Sequence, residues 1–140
     1  MKVTSERIRM MAQTQWPNLI FIWPTDPSYE LLTVKKLKFV VKKCSVANFE
    51  YMSNIWDCDN FALQLHARVQ KAQYDEVILG TADKTPWAFG ECMGTKFRGK
   101  VETHAINIAL TDKGIYLIEP QTDAIWKAHK KNDAPFFVKF

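Results

Sequence analysis

Two periods divide the chain. In the N-terminal half apolar residues recur every three or four positions, and in the C-terminal half every second position. The spacing predicts a short helix from Thr4 to Gln15, with Ile8 and Met11 on one face, ended by Trp16-Pro17. Residues 23–29 (WPTDPSY) hold two prolines and an aspartate, which is turn chemistry, and they set an N-terminal arm, residues 1–29, apart from the body. From Thr33, a candidate N-cap, the residues Val34, Leu37, Val40, Val41 and Cys44 predict a second helix, although Lys35 and Lys36 oppose the dipole of its first turn. The clearest stripe is Cys58, Phe61, Ala62, Leu65, Val69 and Ala72, preceded by Asp57 as N-cap. It places Cys58 in the first turn of a core-facing helix.

Beyond this point the period falls to two. Residues 77–79 and 87–93 read as short strands, and KVETHAINIAL (100–110) alternates with His104, Ile106, Ile108 and Leu110 on one face. Thr111-Asp112-Lys113-Gly114 reads as a tight turn, residues 115–119 as the returning strand, and Pro120 as its end. A symmetric four-residue turn sets Leu110 opposite Ile115, Ile106 opposite Glu119 and His104 opposite Gln121. Opposed side chains share a face, so His104, Glu119 and Gln121 project to one side, with Glu119 diagonal to His104.

Length and composition change this picture little. At 140 residues and 47% hydrophobic the chain can bury one core, and a single domain over 1–140 is expected. Five Trp, four Tyr and nine Phe against five Gly and six Pro exclude a disordered or collagen-like chain. The longest apolar run, LIFIW (19–23), is far below the roughly 20 residues of a membrane span. The polar start MKVTSERIRMMAQTQ lacks the apolar stretch of a secretory signal, so no membrane association and a cytoplasmic location are expected. Three cysteines, Cys44, Cys58 and Cys92, form neither a disulfide framework nor a thiolate zinc pattern. The net charge of +4 resides largely in Lys35, Lys36, Lys38, Lys42 and Lys43 and in Lys127, Lys130 and Lys131. With no nucleic-acid motif beside them these lysines read as solvated faces, and nucleic acid is not an expected partner.

Candidate chemistry follows from the hairpin. The face bearing Ile106, Ile108, Leu110, Ile115 and Leu117 needs cover, and the helix starting at Cys58 is the nearest apolar surface able to supply it. That packing would bring a thiol to an imidazole held by a carboxylate, with Cys58 as nucleophile, His104 as base and Glu119 orienting it. Backbone N–H groups at the helix start would bind an oxyanion. Aspartates on both sides of Cys58 oppose thiolate formation unless a cation neutralises them. Asp57, Asp59, Glu119, Gln121 and Asp123 are hard oxygen ligands suited to Ca²⁺ or Mn²⁺, while helix capping is the competing role for the two aspartates.

The segments WDCDNFA (56–62), THAINI (103–108) and GIYLIEPQTD (114–123) resemble the papain-like C-terminal protease domain of the Marasmius oreades agglutinin and of related small bacterial and phage proteins. The resemblance covers about residues 50–125. It implies an α+β, papain-like cysteine protease fold in which a central helix carrying Cys58 packs on an antiparallel sheet carrying His104 and Glu119. It further implies a calcium- or manganese-dependent cysteine hydrolase with a Cys58-His104-Glu119 triad, acting on a peptide or isopeptide bond of a protein substrate. Asp57, Asp59, Gln121 and Asp123 would be residues of the metal site. The alternative is a non-catalytic papain-like module that engages a host protein.

Overall fold

The computed structural model describes residues 1–140, with the N-terminal arm folded into the core and not set apart from it. The arm supplies β1 (Lys2–Thr4), α1 (Ser5–Gln15), β2 (Phe21–Trp23) and β3 (Ser28–Glu30). Thr4 caps α1, its hydroxyl accepting from the Arg7 N–H at 3.2 Å. Next come α2 (Val34–Cys44) and α3 (Cys58–Ile78), joined through a 3-10 turn at Val46–Asn48. Thr33 caps α2 by accepting from the Lys36 N–H at 3.1 Å. At the start of α3, the Asn60 side chain accepts from the Asp57 N–H at 3.2 Å.

The rest of the chain is sheet: β4 (Phe89–Phe97), β5 (Lys100–Thr111), β6 (Gly114–Glu119), β7 (Ala124–Lys127) and β8 (Pro135–Lys139). The six-stranded sheet has the order β2-β8-β4-β5-β6-β7 and is mixed, because β2 joins β8 in parallel while every other pairing is antiparallel. β1 and β3 form a separate antiparallel pair. Leu110 pairs with Ile115 and Ile108 with Leu117, the register the turn predicts. Residues 77–79 are not a strand. Val77 and Ile78 close α3, and Gly80, at φ 77, supplies the left-handed residue that ends it.

Both faces of the sheet are buried, each under different helices. Ile106, Ile108, Leu110, Ile115 and Leu117 form one cluster with Ile8, Ala12 and Trp16 of α1 and its flank. Ala109 and Ile118 form the other with Leu37, Val40 and Val41 of α2 and Phe61, Leu65 and Val69 of α3. The expected papain-like fold, with the Cys58 helix packed on the His104 face, is therefore corrected. Strand alternation puts His104 on the side of Ile106, which α1 covers, whereas α3 occupies the opposite side. Ala105, Asn107 and Ala109 look like a solvent face in the sequence because they are small or polar. Their size is what lets α3 approach, and Asn107, fully buried, donates to the Ala62 carbonyl of α3 at 2.8 Å.

Candidate functional site

β4 and β5 meet in a two-residue turn, Arg98-Gly99, with φ values of 50° and 80°. These angles define the tight hairpin turn that continues the twist of the strands. Beyond it lies a pocket of about 430 Å³ lined by Phe97, Arg98, Lys100, Glu102, His104, Glu119, Gln121, Thr122 and Trp126. Four strands, β4 to β7, and the turns after β4 and β6 supply its walls.

His104 and Glu119 form the floor. Nε2 of His104 lies 2.5 Å from Oε2 of Glu119, and both side chains are largely buried. The other carboxylate oxygen, Oε1, accepts from the Gln121 N–H at 3.2 Å, which ties the turn after β6 to the pair. The hydrogen bond to Glu119 pushes the His104 imidazole above its usual value, against the desolvation that would lower it, and the Glu119 charge adds to the rise. The Phe97 ring stands edge-on to His104 at 6.4 Å between centroids. Gly94, opposite His104 on β4, makes room for the Phe97 ring and the loop before β8: a Cβ there would lie 2.7 Å from the Phe97 ring and 2.6 Å from the Ala134 carbonyl.

The remaining predicted site residues lie elsewhere. Cys58, Asp57 and Asp59 do not line the pocket. Cys58 is half-buried at the start of α3, whereas Cys44 and Cys92 are buried and their thiols are pushed up by desolvation. The Asp57 carboxyl is raised, first by its hydrogen bond with Asp59, then by desolvation and by the Asp59 charge. Asp123 sits in a left-handed turn conformation at φ 60 and faces a different hollow, beside Lys38 and Lys42 of α2. Its carboxyl is raised by desolvation. The five expected metal ligands thus fall in three places, and no three His, Cys, Asp or Glu side chains converge to hold an ion. As a set they do not fit Ca²⁺ or Mn²⁺.

Sequence reasoning missed Phe97, Arg98, Lys100, Glu102, Thr122 and Trp126. The signal available was Gly99 between two alternating segments, a mark of a two-residue hairpin. Trp126 gave no local signal, because its role depends on the β6–β7 pairing.

The family described as ricin-type beta-trefoil lectin C-terminal domain matches residues 4–138. The chain belongs to that family. The match begins near the start of the arm, well before the segment at 50–125 that carried the papain-like resemblance. No curated protein sequence matches the chain. Two solved structures share the fold of the domain. One is titled "PSL1a-E64 complex", with TM-score 0.80, 20% identity and 99% of this chain covered. The other is the Polyporus squamosus lectin bound to the human-type influenza-binding epitope Neu5Acα2-6Galβ1-4GlcNAc, with TM-score 0.77, 20% identity and again 99% of this chain covered. This chain spans about half the length of each, 51% and 49% respectively.

These findings correct the papain-like protease assignment to a lectin C-terminal domain. The cysteine hydrolase, its peptide or isopeptide substrate, the papain-like module engaging a host protein and the phage relationship are corrected with it, since the family and the Polyporus relative are named for lectins. The physical reason within this chain is the one already given: α3, which bears Cys58, covers one face of the sheet, and His104 lies on the other. No helix is long and apolar enough to cross a membrane.

Proposed function

We propose that the chain is a carbohydrate-binding lectin domain, one unit over residues 1–140, and that saccharide sits in the His104–Glu119–Trp126 pocket. The pocket carries this reading through its composition. The walls offer the apolar surface of Phe97 and Trp126 for the C–H groups of a sugar, and the floor and rim offer imidazole, carboxylate, amide and guanidinium groups for its hydroxyls. A saccharide needs this mixture, because each buried hydroxyl must regain the hydrogen bonds it loses with water. The probe of choice is Neu5Acα2-6Galβ1-4GlcNAc, the epitope bound by the Polyporus squamosus lectin. Calorimetric titration of the wild-type chain should give a saturable heat that Trp126→Ala removes. No heat with this trisaccharide and no binding across a broad glycan array would reject the reading.

A second reading concerns Cys58 and is favoured by the relative titled as an E64 complex. E64 carries an epoxide that alkylates thiolates. Cys58 is the only cysteine of this chain that is not buried, and it stands in the first turn of α3, where unpaired N–H groups favour an anion. E64 should therefore add once, at Cys58, by peptide mass mapping, and an adduct at Cys44 or Cys92 would reject the assignment. Ca²⁺ or Mn²⁺ is proposed for the Asp57–Asp59 pair alone, where a cation would relieve the repulsion between the two carboxylates. Three free cysteines fit a reducing compartment, and the cytoplasm is the proposed location.

A further inference from the structure

One carboxylate outside the pocket organises its wall. Asp133 is 1% exposed and lies in the loop before β8. Oδ1 accepts from the Arg98 N–H at 2.9 Å, and Oδ2 accepts from the His129 N–H at 2.7 Å. The Trp126 indole N–H points between the two oxygens, at 3.3 and 3.4 Å. Three donors from separate segments thus converge on one buried carboxylate. The loop is closed on itself as well, with the Asp133 N–H donating to the His129 carbonyl at 3.1 Å and the Gly99 N–H reaching the Asn132 carbonyl at 2.9 Å.

The consequence shows at the pocket rim. Arg98 is held in the left-handed region at φ 50, where a side chain is strained, and its guanidinium carbon lies 4.5 Å from the centroid of the Trp126 ring. One group, the Asp133 carboxylate, holds both the Arg98 backbone N–H and the indole that lies beneath the Arg98 side chain.

We propose that Asp133 is a positioning residue: by gripping the Arg98 amide and the Trp126 indole together, it sets the Arg98–Trp126 wall against which ligand packs. This inference rests on the saccharide reading for its effect on affinity, but the position of Trp126 can be read with no ligand present. In the wild-type chain the Trp126 indole N–H, assigned through Trp126→Phe, should exchange with solvent slowly for a residue at a pocket rim. In Asp133→Asn, which retains one acceptor oxygen, that indole resonance should shift while the Trp87 indole does not. Affinity for Neu5Acα2-6Galβ1-4GlcNAc should fall by about tenfold, the scale of losing one well-placed hydrogen-bond anchor. An Arg98→Gly variant, which relaxes the turn and removes the guanidinium, should weaken binding while leaving the Trp126 indole protected. Fast indole exchange in the wild type, or an unmoved indole in Asp133→Asn, overturns the positioning role whatever the affinities are. A moved indole in a chain that binds no saccharide upholds the geometry and rejects only the ligand. Should Asp133→Asn not fold, wild-type exchange and Arg98→Gly decide the matter between them.

Discussion

Asn107 and Ala62 join the sheet to the helix that covers it. From β5, the Asn107 amide donates to the Ala62 carbonyl at 2.8 Å and to the Gly90 carbonyl of β4 at 3.0 Å, with the side chain fully buried. One amide therefore pins α3 and β4 to the central strand. Asn107→Ala would leave both carbonyls without that donor, at a cost of about 1–3 kcal/mol. Asn107→Asp should cost more, because a carboxylate would face two carbonyl oxygens in a dry interior. Urea unfolding of the two variants checks both the size and the order.

Gly90 and Gly99 make a contrasting pair. A Cβ at Gly90 would lie 1.8 Å from the Lys139 carbonyl, so Gly90→Ala must push β8 away from β4. The loss should reach or exceed about 3 kcal/mol, the upper end for overpacking. At Gly99 nothing lies within 4 Å, and φ is 80. Gly99→Ala should cost only the left-handed strain, about 1–2 kcal/mol. Equal losses in chemical denaturation would refute the distinction.

The His104–Glu119 pair should be visible in the pH dependence of stability. A histidine raised in the folded state contributes stability that is fully present below its unfolded value and is lost as pH rises through its folded value. Glu119→Gln removes the cause of the rise. The mutant should therefore trail the wild type most at pH just below the ordinary histidine value, with the histidine part of the gap closing as the pH rises. Proton NMR titration of the His104 ring should show its midpoint fall in Glu119→Gln. An unchanged midpoint would show that the pair does not govern the ring.

Much of the local structure was legible in the sequence, and the layer order was not. The stripe from Cys58 to Ala72 and the caps at Thr33 and Asp57 became α3 and α2, and the turn at 111–114 set the β5–β6 register. These features depend on neighbours within a few residues. The parallel pairing of β2 with β8 joins residues 21–23 to 137–139, and no local pattern encodes it. The site reading failed for the same reason. Ile106, Ile108 and Leu110 announced one buried face, but the sequence did not say which helix covers it. The second face, built from Ala105, Asn107 and Ala109, did not look buried at all.

Calcium offers a separate check on the Asp57–Asp59 pair. An ion bound only by the folded chain raises Tm, by about 2.7 kcal/mol of stabilisation at a hundredfold excess over its Kd. Calcium or manganese should raise Tm in the wild type and not in the Asp57→Asn, Asp59→Asn double variant. A flat melting temperature in the wild type would leave the two aspartates to the helix start alone.

The glycan pocket itself is tested most directly by one titration: Neu5Acα2-6Galβ1-4GlcNAc added to the isotope-labelled wild-type chain, followed by amide and indole NMR. Saccharide bound as proposed shifts the Trp126 indole and the amides of Arg98, His104 and Gln121 together along one saturation curve, while residues at the start of α3 stay still. Shifts confined to Cys58 and its neighbours, or none at saturating ligand, would contradict it.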